Sequence, residues 1–324
     1  MSPGLTIGVD IGGTKIVVAL VDEEGTVVAV RRFASGFQLT PEKFVVETTS
    51  RVAELKSEVS IESVNGVGVG SAGQIDPVTG VVHHSPNLGW YDAPLKVPLE
   101  QALNVPAFIT NDVRAATWGE WRRGAGRGVS DLVCFFVGTG VGGGIVSGNR
   151  LITGSSGSAG ELGHMVIDIN GPPCRCPNHG CLEAFAGGWA IALRAQQAVA
   201  EDPVAGRPLL DMANGDGDTI TAETVARSAH NGDSLALRLV SETGAALGAG
   251  VTSAVNVLNP SMVVLGGGVT EGLPELIDMV RDHVQRRALA AAKASLKIVK
   301  GQLGSDAIIV GAALMARDYL SLDG

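Results

Sequence analysis

Two segments built on the same plan, more than a hundred residues apart, constrain the fold of this chain more than any other feature. The first, LTIGVDIGGTKIVVALVDEEGTVVAV, begins at Leu5 and reads as strand, glycine turn, strand, a tight turn at Glu23 to Gly25, and strand. The second lies within residues 131–152, where LVCFFVGTGVGGGIVSGNRLI gives strand, glycine-rich turn, strand and turn again. Short apolar runs bounded by glycines are the pattern of buried strands. A hairpin plan used twice predicts two related domains facing one another. No low-complexity linker separates them, so short crossings are expected.

Helical and extended segments alternate through the rest of the chain. Apolar spacing predicts a helix over 41–57, with Pro41 placed at its start. VNGVGVG (64–70) and VPAFIT (105–110) read as strands, the latter running into Asn111–Asp112 and a helical pattern, VRAATWGEWRRG. Helices are expected over 187–200 and 233–256, and one opening at Pro274. MVVLGGGV (262–269) reads as strand then glycine loop, SLKIVKGQLG as strand and loop, and DAIIVGAALMARDYL as a closing helix. This is an α/β pattern.

The chain has 324 residues, 45% of them hydrophobic and 4% aromatic, so its cores must be built mainly from Val, Leu, Ile and Ala. A formal net charge of -9 argues against nucleic acid as a partner. It leaves a nucleotide ligand open, because Mg²⁺ and backbone N–H groups hold phosphates in acidic proteins. There is no apolar run long enough to span a bilayer, so no membrane partner is expected. The start, MSPGLTIGVD, lacks a basic n-region and does not resemble a signal peptide. A cytoplasmic location is the expectation.

The glycine turns carry candidate chemistry. In DIGGTK, Gly12 and Gly13 turn the backbone and leave N–H groups for an anion. Thr14 and Lys15 add a hydroxyl and a cation, and Asp10 is placed to hold Mg²⁺. A plain hairpin turn explains the same residues equally well. Gly8 and Gly13 have P-loop spacing, but Thr14–Lys15 stands where Lys–Ser/Thr is needed and no helix follows. Gly138, Gly140 and Gly143 spell a dinucleotide fingerprint, with Glu161 near the distance of a ribose-binding acid. That fingerprint also requires a helix, and here a strand comes next. Taken together, the two hairpins suggest a grip on terminal phosphates, one from each domain. The third loop, Gly266–Gly267–Gly268, is either a nucleotide contact or a strand-end turn.

Asp112 has two readings, a catalytic base at a strand terminus or an N-cap carboxylate for a helix starting at Val113. Glu183 can be a helix N-terminal acid and Asn87 a turn residue. Glu161 and His164 share a face only if their stretch is helical. Of the four cysteines, Cys134 reads as a buried small hydrophobe. Cys174, Cys176 and Cys181 fall in a polar, Pro/Gly-rich segment, where spacing suggests metal before disulfides. With His164 they have the spacing of a tetrahedral Cys₃His zinc site, closed and therefore structural. His179 is a second candidate ligand.

DIGGTK, VGTGVGGGI, GELGH at 160–164 and CRC…GCLE at 174–183, in this order and through nearly the whole chain, resemble the ROK family of sugar kinases and repressors, and its bacterial glucokinases most. The resemblance implies an actin-like (ribonuclease H-like) two-domain sugar kinase fold with an interdomain cleft where ATP and sugar meet. On that basis the small domain is expected over 1–110, joined by the C-terminal helix 306–324, and the large zinc-bearing domain over 111–305. It implies ATP with Mg²⁺ at Asp10, Gly12, Gly13, Thr14, Lys15, Gly138, Thr139, Gly140, Gly267 and Gly268. It puts the catalytic base on Asp112. The sugar, glucose first, is expected at Gly73, Asn87, Asn111, Asp112, Glu161, His164 and Glu183, and structural Zn²⁺ at His164, Cys174, Cys176 and Cys181. Relatives commonly carry Gly after the second cysteine, where this chain has Pro177. Family members are commonly dimers or tetramers, so a homodimer or homotetramer is expected. The family's repressors carry an additional helix-turn-helix domain before the kinase-like part. The first strand starts by Leu5 here, so a kinase is expected. Kinases for mannose, N-acetylated hexosamine or fructose, a polyphosphate-using glucokinase, and a non-catalytic sugar sensor are the alternatives.

Overall fold

The first glycine hairpin forms where its apolar runs predict it. The computed structural model describes residues 4–76, 78–85 and 88–320. Strands β1 (Thr6–Ile11) and β2 (Lys15–Val21) pair antiparallel with Ile11 opposite Ile16, and β3 (Val27–Ala34) continues the meander. Both faces of β2 are covered, which is why it reads as one unbroken apolar run. Ile16, Val18 and Leu20 enter a core with Phe44 and Leu55. Val17, Ala19 and Val21 enter another with Ile309, Val310 and Leu314 of the C-terminal helix Ala307–Leu320. Helix α1 (Pro41–Glu58) supplies Phe44 and Leu55, with Pro41 in its first turn and Thr40 as its N-cap, accepting from the Lys43 N–H at 3.3 Å.

Strand β4 (Val67–Ser71) runs parallel to β1. Strands β5 (Gln74–Ile75), β6 (Val81–Ser85) and β7 (Trp90–Pro94) form a small antiparallel sheet, and α2 (Lys96–Leu103) leads into β8 (Ala107–Asn111), parallel to β4. Helix α3 is Asp112–Arg122. The sheet order is β3-β2-β1-β4-β8. The C-terminal helix lies very close to this sheet, because a Cβ at Gly8 or Gly68 would overlap the carbonyl oxygens of Ile309 and Ala312.

The second hairpin repeats the plan. Strands β9 (Leu132–Val137), β10 (Val141–Ser147), β11 (Arg150–Leu151), β12 (Met262–Gly266) and β13 (Lys297–Lys300) form a sheet of order β11-β10-β9-β12-β13. In each sheet a hairpin is followed by two parallel neighbours: β10 pairs β9 antiparallel, and β12 pairs both β9 and β13 parallel. The repeat visible as pattern in the sequence is a repeat of topology. Helices α4 (Glu183–Ala186), α5 (Gly188–Glu201), α6 (Arg207–Met212), α7 (Ala222–His230), α8 (Ser234–Leu258), α9 (Gly268–Gly272), α10 (Glu275–Arg287) and α11 (Ala290–Lys293) belong to this half, and the C-terminal helix is α12. Val133, Phe135, Val263 and Leu265 of the sheet share one core with Leu247 and Val251 of α8 and Val280 of α10. After β12 the chain enters α9 within two residues, where the sequence suggested an open glycine loop.

Packing divides the chain into two compact units, Met1–Gly128 with Leu151–Ala159 and Gln302–Gly324, and Val129–Arg150 with Gly160–Gly301. Helix α3 falls in the first unit, beyond the division at residue 110 expected from the sequence, because Ala115 clusters with Ala312 and Met315 of α12. Among the described residues, no helix is long and apolar enough to cross a membrane.

Candidate functional site

In the first unit, parallel register gathers two carboxylates at one end of the sheet. Asp10 on β1 stands opposite Gly70 on β4, and Gly70 stands opposite Thr110 on β8. Asn111 ends β8 and Asp112 begins α3. The side chain of Asn111, not of Asp112, takes the N-cap role, its Oδ1 accepting from the Arg114 N–H at 3.1 Å. Of the two sequence readings of Asp112, the N-cap one is therefore displaced by one residue. Asp112 Oδ1 accepts from the Val113 N–H at 2.8 Å. Asp10 is partly buried, and its pKa is pushed up to about 7, first by burial and then by the charge of Asp112, with Lys15 pulling it down. A carboxyl whose pKa is raised by burial and by a second carboxyl is a candidate for binding a divalent cation.

The turn after Asp10 is held from its flanks. The Gly12 N–H donates to the Lys15 carbonyl at 3.1 Å, and Ser35 Oγ donates to the Gly12 carbonyl at 2.6 Å. Gly13, Thr14 and Lys15 are exposed, as a loop for an outside ligand must be. Gly73 lies between β4 and β5 with a φ of 119°, and a Cβ there would overlap the His84 carbonyl. Asn87 lies outside the described residues. Gly70 is a site residue that sequence reasoning missed. A Cβ at Gly70 would sit 2.7 Å from Ile308 Cγ2 and 3.3 Å from the Cα of Asp112. Its bare backbone is what lets Asp112 settle against the sheet. The signal was the alternation of Gly68 and Gly70 within a buried strand, which marks close backbone approach.

In the second unit, Gly138, Thr139 and Gly140 form the β9–β10 turn, with the Gly138 N–H donating to the Gly140 carbonyl at 2.9 Å. Gly266 ends β12 opposite Phe136 of β9, so Gly267 and Gly268 leave the sheet at the same end as this turn. Gly267 has a φ of 93°, and Thr270 Oγ1 donates to its carbonyl at 2.9 Å. The Glu183 carboxylate accepts from the Val141 N–H at 2.9 Å and from Trp189 Nε1 at 3.3 Å.

His164, Cys174, Cys176 and Cys181 come together, with all four ligand atoms within 4.8 Å of one another. Residues 173–181 fold as a small hairpin, Pro173 bridging His179 and Cys181 bridging Val166, and the Cys174 N–H donates to the Asn178 carbonyl at 2.9 Å. Pro177 sits inside that turn. Cys176 and Cys181 Sγ are 3.6 Å apart, and Cys174 Sγ is 3.7 Å from His164 Nδ1. Those separations are too long for disulfides and match the edges of a zinc tetrahedron, about 3.6–3.8 Å for ordinary Zn–S and Zn–N bonds. Burial and the neighbouring thiols push the Cys181 thiol up to about 12, so a cation is needed to make the set ionise together. The donor set fits Zn²⁺ and supplies all four positions. His179 is exposed and outside the cluster. Leu162–His164 is a single 3₁₀ turn closed by the His164 N–H on the Glu161 carbonyl at 3.0 Å, so the helical alternative holds for this stretch. Arg175, over the Trp189 ring at 4.7 Å, and Trp189 itself gave no signal in the sequence, since their roles depend on tertiary contact.

Residues 6–319 match the ROK family. The chain belongs to the ROK family. A glucokinase of Streptomyces coelicolor is 35% identical over 97% of this chain and 98% of its own length. A ROK family glucokinase from Streptomyces griseus, solved in complex with glucose and AMPPNP, superimposes with a TM-score of 0.84 at 36% identity, covering 97% of this chain and all of that one. The ROK family also reaches regulators: a xylose repressor of Bacillus subtilis is 29% identical over 98% of this chain and 78% of its own length. The fold is the actin-like two-domain fold of ROK sugar kinases.

Proposed function

We propose that the protein transfers the γ-phosphoryl group of ATP to a hexose, converting glucose to glucose 6-phosphate. The observation that carries this reading is the Asp10–Asp112 carboxylate pair beside the exposed Gly12–Lys15 turn, in a ROK chain similar to glucokinases over nearly its full length.

In this reading Asp112 accepts the proton of the sugar hydroxyl as its oxygen bonds to phosphorus and the bridging oxygen leaves with ADP. Asn111, Glu161, His164, Glu183, Gly73 and Asn87 orient the other hydroxyls. The backbone amides of the 12–15 and 138–140 turns and Lys15 bind the phosphates, and Gly267 and Gly268 the remainder of the nucleotide. Asp10 is the carboxyl suited to Mg²⁺, which when bound screens the phosphate charge. Zinc at His164, Cys174, Cys176 and Cys181 is structural in this reading, with no position for substrate. The protein works in the cytoplasm as a homodimer or homotetramer.

The similarity to a xylose repressor favours a second reading, a sugar-binding regulator without turnover. One assay separates the two. Formation of sugar phosphate, the product that both donors share, is measured over a panel of glucose, mannose, N-acetylglucosamine, N-acetylmannosamine and fructose with MgATP, and with polyphosphate in its place. Formation of glucose phosphate is the expected result. Sugar binding without sugar phosphate under any of these conditions would establish the regulator instead.

A further inference from the structure

The cysteine hairpin is joined to the Gly138–Gly140 turn by a chain of contacts that neither the zinc site nor the sugar pocket requires. Cys181 is the last metal ligand, and Glu183 follows it by two residues. One Glu183 oxygen accepts from the Val141 N–H at 2.9 Å, directly after the turn. The other accepts from Trp189 Nε1 at 3.3 Å. The start of α5 then closes on the turn from outside: the Gly188 N–H donates to the Gly138 carbonyl at 2.9 Å and the Trp189 N–H to the Thr139 carbonyl at 3.0 Å. Arg175, between two zinc ligands, lies over the other side of this network with its guanidinium 4.7 Å from the Trp189 ring centre.

The glycines fit this arrangement. A Cβ on Gly140 would overlap Glu183 Oε2, and one on Gly188 would fall 2.8 Å from the Gly138 carbonyl oxygen. The turn and the helix start are therefore pressed together with no side chain between them. Two of the four acceptor positions of the carboxylate are used, which leaves capacity for a sugar hydroxyl.

We propose that Trp189, acting through Glu183, is a positioning residue for nucleotide binding, and that the cysteine hairpin sets the shape of the Gly138–Gly140 turn through this pair. The inference rests on the kinase reading, in which that turn binds phosphate. A phosphate-binding turn works by amides aimed at fixed points, so a loosened turn loses affinity without losing any group that touches the ligand. Trp189 holds the carboxylate, and the carboxylate holds the amide of Val141 that orients the turn.

The test uses Trp189→Phe, which keeps an aromatic ring beside Arg175 and removes the indole donor together with one ring, Glu183→Gln, and the double variant. Binding of MgAMPPNP is measured by calorimetry without sugar, glucose binding separately, zinc by elemental analysis, and exchange of the Val141 amide by NMR. Trp189→Phe should weaken MgAMPPNP about five-fold, the size of one lost hydrogen bond, with zinc content unchanged and a smaller loss for glucose than for nucleotide. In Glu183→Gln the amide NH₂ must meet either the Val141 N–H or the indole N–H, donor against donor. The double variant should therefore bind MgAMPPNP no more weakly than Glu183→Gln alone. Val141 exchange should quicken in each. Unchanged MgAMPPNP affinity and unchanged Val141 exchange in both single variants would overturn the proposal, as would independent, additive losses. Equal losses of zinc, glucose and nucleotide would assign Trp189 to general stability and overturn it as well. Wild-type protein that binds no MgAMPPNP overturns the kinase reading itself, and this inference with it.

Discussion

Asp10 and Asp112 stand at the same end of the parallel strands β1, β4 and β8, close enough that the charge of Asp112 adds to burial in raising the pKa of Asp10 to about 7. Gly70 lies between their strands, opposite Asp10 in register and within 3.3 Å of the Asp112 Cα when given a Cβ. Three residues separated widely in sequence thus act together. One leaves space, and the charge of the second helps hold a proton on the first.

Asp112→Asn removes the proposed proton acceptor and keeps the shape of the side chain. kcat should fall roughly 10²–10⁴-fold, the usual contribution of a general base, while glucose affinity measured by calorimetry stays within a few fold. Near-normal kcat would show that Asp112 is not the base.

Gly70→Ala tests the space rather than the charge. The new methyl meets Ile308 Cγ2 at 2.7 Å and crowds Asp112. Overpacking of this kind costs about 1–3 kcal/mol of stability. It should also lower kcat by more than it raises the KM for glucose, because the base is displaced. Steady-state kinetics beside a thermal melt checks both effects. Unchanged kcat would separate Gly70 from the chemistry.

The raised pKa of Asp10 has a consequence for stability. In the unfolded chain this carboxyl ionises near 3.8, and in the folded protein near 7. Between those values the folded state holds the proton that the unfolded state has lost, so ionisation works against folding and stability falls as pH rises through that window. Asp10→Asn should remove this fall. The variant should gain stability over wild type at pH 8, and lose that advantage near pH 4. Added Mg²⁺ should narrow the gap at pH 8. Urea melts across pH 4–8 measure it, and parallel curves for the two proteins would refute the assignment.

The zinc ligands separate by substitution. His164→Ala should lower bound zinc and thermal stability together, and His179→Ala should change neither, because His179 is exposed and lies outside the cluster. Elemental analysis of the purified variants decides between them. Loss of zinc in the His179 variant alone would reverse the ligand assignment.

The sequence made some of this legible and not the rest, for physical reasons. Strands β1, β2 and β9 are buried on both faces, so their apolar runs were unmistakable, and the helix that opens at Pro41 carried its own start signal. The cysteine hairpin was readable because metal ligands need specific residue types at short spacing. The roles of Gly70, Trp189 and Arg175 were not readable, since each depends on which element arrives beside it after folding. The place of helix α3 was not readable for a related reason. Helix α3 follows a strand of the first sheet, but only its packing on α12, far along the chain, assigns it there.

Glu120 shows the same dependence and gives a sharp stability test. Its side chain lies within the first unit, in a residue only 1% exposed, on α3. Oε2 accepts from the Ala125 N–H at 2.9 Å and the Gln302 N–H at 3.1 Å, and Oε1 from the Leu303 N–H at 2.8 Å. One carboxylate thus serves the loop after α3 and the segment that leads back to α12. Glu120→Ala takes the acceptor from three N–H groups, those of the half-buried Ala125 and Leu303 and of the exposed Gln302. An unsatisfied buried donor costs about 1–3 kcal/mol and water reaches the N–H of an exposed residue, so a loss of roughly 2–4 kcal/mol is expected. Glu120→Gln keeps one oxygen and turns an NH₂ toward the remaining N–H groups, so it should be destabilised to a similar or slightly smaller degree. Glu120→Asp, with its carboxylate drawn back by one methylene, should fall between these and wild type. Urea melts of the three variants give the order. A Glu120→Ala protein as stable as wild type would show that water serves these amides as well as the carboxylate does.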